Sequence, residues 1–395
     1  MTDETRLPGT APRRGPAAPE RTRLSFWSLL LAGGVVLALL FGQWVILVAI
    51  LGLALLITVH EFGHFLAAKA FGMQVEKFYV GFPPAALRRQ WGETEYGLGI
   101  IPLGGFCKIS GMTPEEEVPE GTGERVYYEK PVWQRNVTIA AGPLMNLAAA
   151  VVIMILFVGI QGVSSASMTL AEVVDGTPAA EIGLTPGATI LGADGRRWTE
   201  WDQASGYFSA RPGQTIQLRY RPAPVDGVKQ GPRTVAVRLA ENPQQPGSGY
   251  LGVRADVVSE RPGPLRAVWL GVTGTKDVIV GTFTGFWWLF TGKISATGPD
   301  GAVGPIGIVD VSRDAVQQDW YPILLAFLSV NLGIINLIPI LPFDGGHIAV
   351  NLLEKVRRKR LDTRVLERVV AFGTVLLVML FLFLTFNDIK RIFGG

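Results

Sequence analysis

The sequence predicts a polytopic α-helical membrane protein: about five transmembrane helices, a membrane-associated β-hairpin loop and one extracytoplasmic mixed α/β domain. Three observations predict it. Of 395 residues, 48% are hydrophobic and only 17% charged, less charge than soluble domains usually carry. Apolar runs long enough to cross a bilayer recur along the chain. Lys and Arg cluster in two segments that a five-span topology places on the same side.

Residues 1–24, rich in Pro, Arg and Gly, read as a disordered cytoplasmic tail. Apolar character then runs from Ser25 to Phe71, too long for one span of about 20 residues. The stretch Phe41-Gly42-Gln43-Trp44 can turn the chain, which gives an additional transmembrane helix at 25–42 and a second at 45–71. A cleaved signal peptide is the rival for the first, but no small-residue cleavage site precedes the second apolar run. Residues 72–136 form a cytoplasmic-side loop. Within it, Thr94 to Ile109 (TEYGLGII, a Pro-Leu-Gly-Gly turn, FCKI) reads as a hairpin.

Three further spans are expected at 137–160, 320–347 and 369–386. The segment 264–319 is aromatic-rich at Phe286-Trp287-Trp288. It also carries Lys276 and Asp277 mid-run, which cost about 2.5–3.5 kcal/mol each on insertion. It is therefore expected as a surface amphipathic helix and connector. Between the spans, 167–256 alternates like strands at Thr215–Tyr220 and Thr234–Leu239, with Pro/Gly turns and a helical turn near Trp201 to Ala210. That length suffices for one small mixed core.

Charge supports the count of five. Arg6, Arg13, Arg14, Arg21 and Arg23 lie in the tail; Lys355, Arg357, Arg358, Lys359, Arg360, Arg364 and Arg368 precede the last span. Five spans put both groups in the cytoplasm and 161–320 outside; six would place the second group on the outer face. A net charge of +3 gives no case for nucleic acid. The single cysteine, Cys107, excludes an intrachain disulfide and reads as a small buried apolar residue rather than a ligand.

His60-Glu61-Phe62-Gly63-His64 stands at the end of an apolar run. On a helix, positions i and i+4 share a face, so both imidazoles can hold one zinc ion with Glu61 as general base. Unpaired polar groups at membrane depth are costly and usually kept for function. A catalytic zinc needs a third protein ligand. The later run Asn336-Leu-Ile-Pro339-Ile-Leu-Pro342-Phe343-Asp344-Gly345-Gly346-His347 offers Asp344 and His347; both are competent, and spacing does not separate them. Gly345 and Gly346 let the backbone bend to aim a carboxylate sideways. Asn146, in Gly142-Pro143-Leu144-Met145-Asn146, fits either an interhelical hydrogen bond or an active-site lining.

H-E-x-x-H in one span, N-x-x-P followed by D-G-G in a later one, and an insert between them resemble the site-2 protease family of intramembrane zinc metalloproteases. More narrowly, they resemble the bacterial regulator-of-sigma-E protease type. The likeness runs from about Leu40 to the C-terminus and includes Gly81-Phe82, Gly92 to Gly97, Pro102 to Phe106, Ala141 to Asn146 and Gly304 to Ile308. The insert carries Gly176-Thr-Pro178-Ala-Ala-Glu-Ile-Gly183-Leu184-Thr-Pro186-Gly187-Ala188-Thr-Ile190, similar to a PDZ pattern with Ile182 and Ala188 departing from it. The chain also has Leu341 and Phe343 where the family shows Pro and Leu, and a first span added to the usual four.

The resemblance implies that His60, His64 and Asp344 bind Zn2+, that Glu61 is the catalytic acid/base, and that Asn336 handles substrate. It further implies a membrane-dipping β-loop at the hairpin. A free edge there could take an unwound substrate by strand addition, so Leu98, Ile100, Gly104 and Gly105 are expected to meet it. The implied activity is endopeptidase cleavage of transmembrane segments of single-pass proteins, such as anti-sigma factors or remnant signal peptides, in regulated intramembrane proteolysis. The implied setting is the lipid bilayer of a bacterial cell membrane, with a cytoplasmic N-terminus and an extracytoplasmic PDZ-like domain. A zinc-bearing scaffold would not need Glu61, and a metal transporter would spread polar positions over several spans.

Overall fold

The computed structural model describes residues 43–112, 122–243, 245–293 and 303–393, with positions 33, 36, 39, 40, 116 and 118 besides. The tail at 1–24 and nearly all of the helix expected at 25–42 lie outside the described residues. The chain separates into two compact units, one comprising Met1–Ile155 with Leu270–Gly395 and the other Leu156–Trp269.

In the first unit, helix α1 (Trp44–Ala70) is mostly apolar and small residues, interrupted late by His60, Glu61, His64 and Lys69, and has no proline to break it over its seven turns. It ends at Phe71, where Gly72 takes a left-handed φ of 65° that a residue with a side chain would resist. Two long strands follow, β1 (Val75–Trp91) and β2 (Thr94–Ile109), each bent back on itself. The register places segment 75–80 between 105–109 on one side and 94–98 on the other, and 94–98 pairs again with the end of β1, as in Leu98 with both Val80 and Leu87.

Helix α2 (Val132–Gln161) packs against α1 through small residues. A Cβ on Gly63 would overlap the backbone of Ala141, so the two helices approach as closely as backbones can. Arg135, near the start of α2, is buried and reaches Asn351 at 2.9 Å and Glu354 at 3.5 Å, both on the later helix Asp344–Arg357.

Among the described residues, three helices are long and apolar enough to cross a membrane: α1, α2 and Thr363–Arg391. The last belongs to a helix (α9) bounded by Thr363 and Phe393, and only 6% of its most apolar window is buried, as suits a lipid-facing helix. The helix expected over 320–347 is two helices. α7 (Tyr321–Asn336) has 16 residues, shorter than a full span. A turn containing Pro339 and Pro342 follows, and α8 (Asp344–Arg357) starts afresh. Proline lacks the N–H that would continue the ladder and forces its predecessor out of the helical region. Asp344 therefore opens a helix rather than closing one. The segment 264–319 holds α5 (Pro264–Phe290) and α6 (Pro305–Gln317). The buried carboxylate of Asp388 on α9 accepts the N–H groups of Gly304 and Gly307 at the start of α6.

The second unit is a five-stranded antiparallel sheet in the order β6-β5-β4-β3-β9. The strands are β3 (Val163–Val173), β4 (Thr189–Ala193), β5 (Thr215–Arg221), β6 (Arg233–Arg238) and β9 (Val253–Glu260). Short helices α3 (Pro178–Glu181) and α4 (Trp201–Ser209) and a two-stranded pair, β7 (Ala240–Glu241) with β8 (Gly249–Tyr250), complete it. Along β5, Ile216, Leu218 and Tyr220 face the core while Thr215 and Gln217 face outward, the period-2 alternation the sequence displays. Leu170, Ile190 and Phe208 join them in one apolar cluster. At the turn after β4, the Tyr207 hydroxyl and the Gln217 N–H bond to Asp194 and hold its carboxyl below the usual carboxylate range.

Candidate metal centre

The last three turns of α1 present His60 and His64 on one face, both buried, with their Nε2 atoms 3.1 Å apart. From α8, Asp344 Oδ2 approaches His60 Nε2 at 2.9 Å and His64 Nε2 at 3.4 Å. That oxygen is itself buried and has no hydrogen-bond partner among the described residues. Three donor atoms thus converge on one point. Ligands at about 2.0–2.1 Å from a tetrahedral zinc stand about 3.3–3.4 Å from one another, so the triangle needs almost no adjustment to hold that ion. The other ring nitrogen of His64 lies 2.9 Å from the Thr138 carbonyl. A carbonyl can only accept, so Nδ1 carries the proton and Nε2 is left free for a metal.

Two glycine contacts complete the cradle. A Cβ on Gly142 of α2 would overlap His64 Nε2 and lie 2.9 Å from His60 Nε2, so only glycine leaves the centre open. Cβ atoms on Gly345 and Gly346 would overlap the backbone of Leu337 to Leu341. Neither glycine has a positive φ. Their role is close approach of α8 to the preceding turn, not the backbone bend anticipated from the sequence.

Glu61 is half-buried, and the donor atoms of His60, Glu61 and His64 lie within 4.8 Å of one another. The backbone N–H of Cys107 donates to its carboxylate. The strand before Cys107 packs on α1: a Cβ on Gly105 would stand 2.9 Å from Glu61 Cγ, one on Gly104 would press on Ile57, and the Thr58 hydroxyl donates to the Gly104 carbonyl at 3.3 Å. Gly104 and Gly105 therefore sit beside the centre.

Leu98 does not supply a free edge. Its backbone is flanked by Val80 and Leu87, because β1 doubles back to cover the outer side of 94–98. Ile100 has no strand partner in this register. Among the described residues, the unpaired edge beside the centre is that of 105–109, whose Cys107 N–H already points at Glu61. Asn336 donates to the Leu332 carbonyl of its own helix at 3.0 Å and touches none of the three converging residues. The His347 imidazole makes no hydrogen bond or ion pair among the described residues; its backbone N–H donates to the Phe343 carbonyl at 3.4 Å. Asn146, fully buried on α2, lies with Nδ2 3.2 Å from His60 Nδ1. Gly142 left no chemical signal in the sequence.

Residues 48–380 match peptidase family M50. A provisionally named zinc metalloprotease of Nostoc sp. is 32% identical over 88% of this chain and 96% of its own length. The regulator of sigma-W protease RasP of Bacillus subtilis is 27% identical over 86% of this chain and 96% of its own. A solved PDZ domain of the SdrC-like protein from Listeria monocytogenes is 19% identical, covering 24% of this chain and 90% of that one, with a TM-score of 0.19, too low to support an inference. With its buried histidine pair, its apolar helices and these relatives, the chain belongs to peptidase family M50 and is a membrane-embedded zinc metalloprotease.

Proposed function

We propose that this enzyme cleaves transmembrane segments of single-pass membrane proteins, with His60, His64 and Asp344 as the zinc ligands and Glu61 as the catalytic acid/base. The observation that carries the proposal is the convergence of the three donor atoms under Gly142, with Glu61 held between them and the strand at 104–107. A zinc ion bound there supplies Lewis-acid polarisation of the scissile carbonyl and a water of lowered pKa. Glu61 accepts a proton from water and delivers it to the leaving amine; the Cys107 N–H fixes its carboxylate for both transfers.

A helical substrate hides its carbonyls in internal hydrogen bonds, so it must be extended to react. The edge of 105–109 is the surface on which an extended segment adds as a strand, which shifts the expected contact from Leu98 and Ile100 to Gly105 and Cys107. Asn336 would act nearby only through a contact formed with substrate.

The arrangement of five spans, with the N-terminus in the cytoplasm of a bacterial cell and 167–256 outside as a PDZ-like domain, is supported by the positive residues flanking the spans. The antiparallel sheet with its Gly183-Leu184 and Pro186-Gly187 loop supports the PDZ-like assignment. An anti-sigma factor fits the substrate class by likeness to RasP, as does a remnant signal peptide. Glu61→Gln tests the roles: zinc content should persist while cleavage of a membrane-embedded reporter stops. Cleavage at the wild-type rate would refute them.

A further inference from the structure

The two histidines of the centre are held differently. His64 gives its Nδ1 proton to a backbone carbonyl, that of Thr138, which no substitution removes. His60 has only a side chain behind it, the amide of Asn146 at 3.2 Å. Asn146 is completely buried, its Oδ1 has no partner among the described residues, and its backbone carbonyl accepts the Ser329 hydroxyl at 2.8 Å. The backbone at Asn146 is therefore tied to α7, and among the described residues its side chain has His60 as its one hydrogen-bond partner.

Amide nitrogen and oxygen occupy interchangeable positions, and the network decides between them. With Nδ2 facing His60, the ring proton must sit on Nε2, the atom that lies 2.9 Å from Asp344 and 3.1 Å from His64. That proton occupies the place of the cation. With Oδ1 facing His60, Nδ1 carries the proton and the Nε2 lone pair points into the centre. We infer that Asn146 is a positioning residue: it presents its side-chain oxygen to His60 Nδ1, fixing the tautomer and ring orientation that metal binding requires. The inference rests on the assignment of His60, His64 and Asp344 as the zinc set. Ligating histidines generally hand their second N–H to an acceptor, and losing it costs about 10- to 100-fold in metal affinity.

The test is zinc affinity of the full-length protein in detergent, measured by chelator competition. Asn146→Leu, similar in size but without an acceptor, should lose about 10- to 100-fold in affinity while the metal-free protein unfolds at an undiminished temperature. Asn146→Asp restores an acceptor at the same place and should stay within a few-fold of wild type. Were the leucine variant to be recovered unfolded, Asn146→Ala takes its place with the same expected loss. Leucine or alanine variants that bind zinc as wild type does, or an aspartate variant that falls as far as they do, would overturn the role of Asn146. A wild-type protein that binds no zinc would instead contradict the metal centre itself.

Discussion

Gly142 lies so close above His64 that a single methyl group on its Cα would overlap the imidazole Nε2. That nitrogen is one of the three converging donor atoms, with His60 Nε2 and Asp344 Oδ2. Space at the centre is thus set by a helix that contributes no ligand.

Gly142→Ala should therefore impair zinc binding without altering any ligand. Overpacking a filled site costs on the order of 1–3 kcal/mol, which corresponds to roughly a 5- to 150-fold weaker affinity. Zinc stoichiometry after dialysis against a weak chelator measures it. An alanine variant that retains wild-type zinc would show that α2 yields more easily than its contacts with α1 imply.

Much of the centre was legible beforehand. His60, Glu61 and His64 follow from helical spacing alone. On the residues alone Asp344 and His347 are equal candidates, and only the resemblance selects Asp344; the sequence does not show that Pro339 and Pro342 break the apolar run and that a new helix starts at Asp344. The edge strand was misplaced for a physical reason. The hairpin expected over Thr94 to Ile109 does not form: 75–80 lies between 94–98 and 105–109, and 85–91 covers the outer side of 94–98, pairings that nothing local reveals. Gly142 and Asn146 fall in the family-like run Ala141 to Asn146, but how close they come to the two histidines depends on the approach of two helices, which no local pattern encodes.

Arg135 and Glu354 form a buried pair joining α2 to α8, the helix that carries Asp344. Removing one member leaves a buried charge without compensation, at a cost of about 3–5 kcal/mol. Glu354→Leu should therefore lower the thermal unfolding temperature and the zinc content together. Combining it with Arg135→Met should recover most of the stability, since an apolar pair of similar volume is often tolerated. A double variant no more stable than Glu354→Leu would refute this account of the pair.

The free edge at 105–109 contains the chain's only cysteine. In a Glu61→Gln background, native Cys107 should form disulfides with single cysteines placed along a bound transmembrane substrate. Alternate substrate positions should react, as expected for a paired strand. A Cys107→Ala, Leu98→Cys variant should cross-link poorly, its backbone being paired on both sides. The reverse pattern would return the substrate to the strand at 94–98.

One zinc ion is expected to bridge α1 and α8 through the two imidazoles and the Asp344 carboxylate. X-ray absorption at the zinc edge tests it most directly, comparing wild type with Asp344→Cys. Wild type should hold one zinc per chain with only nitrogen and oxygen neighbours at about 2.0–2.2 Å, and the cysteine variant should gain one sulfur at about 2.3 Å. Absence of zinc from the wild type, or a spectrum unchanged in Asp344→Cys, would contradict it.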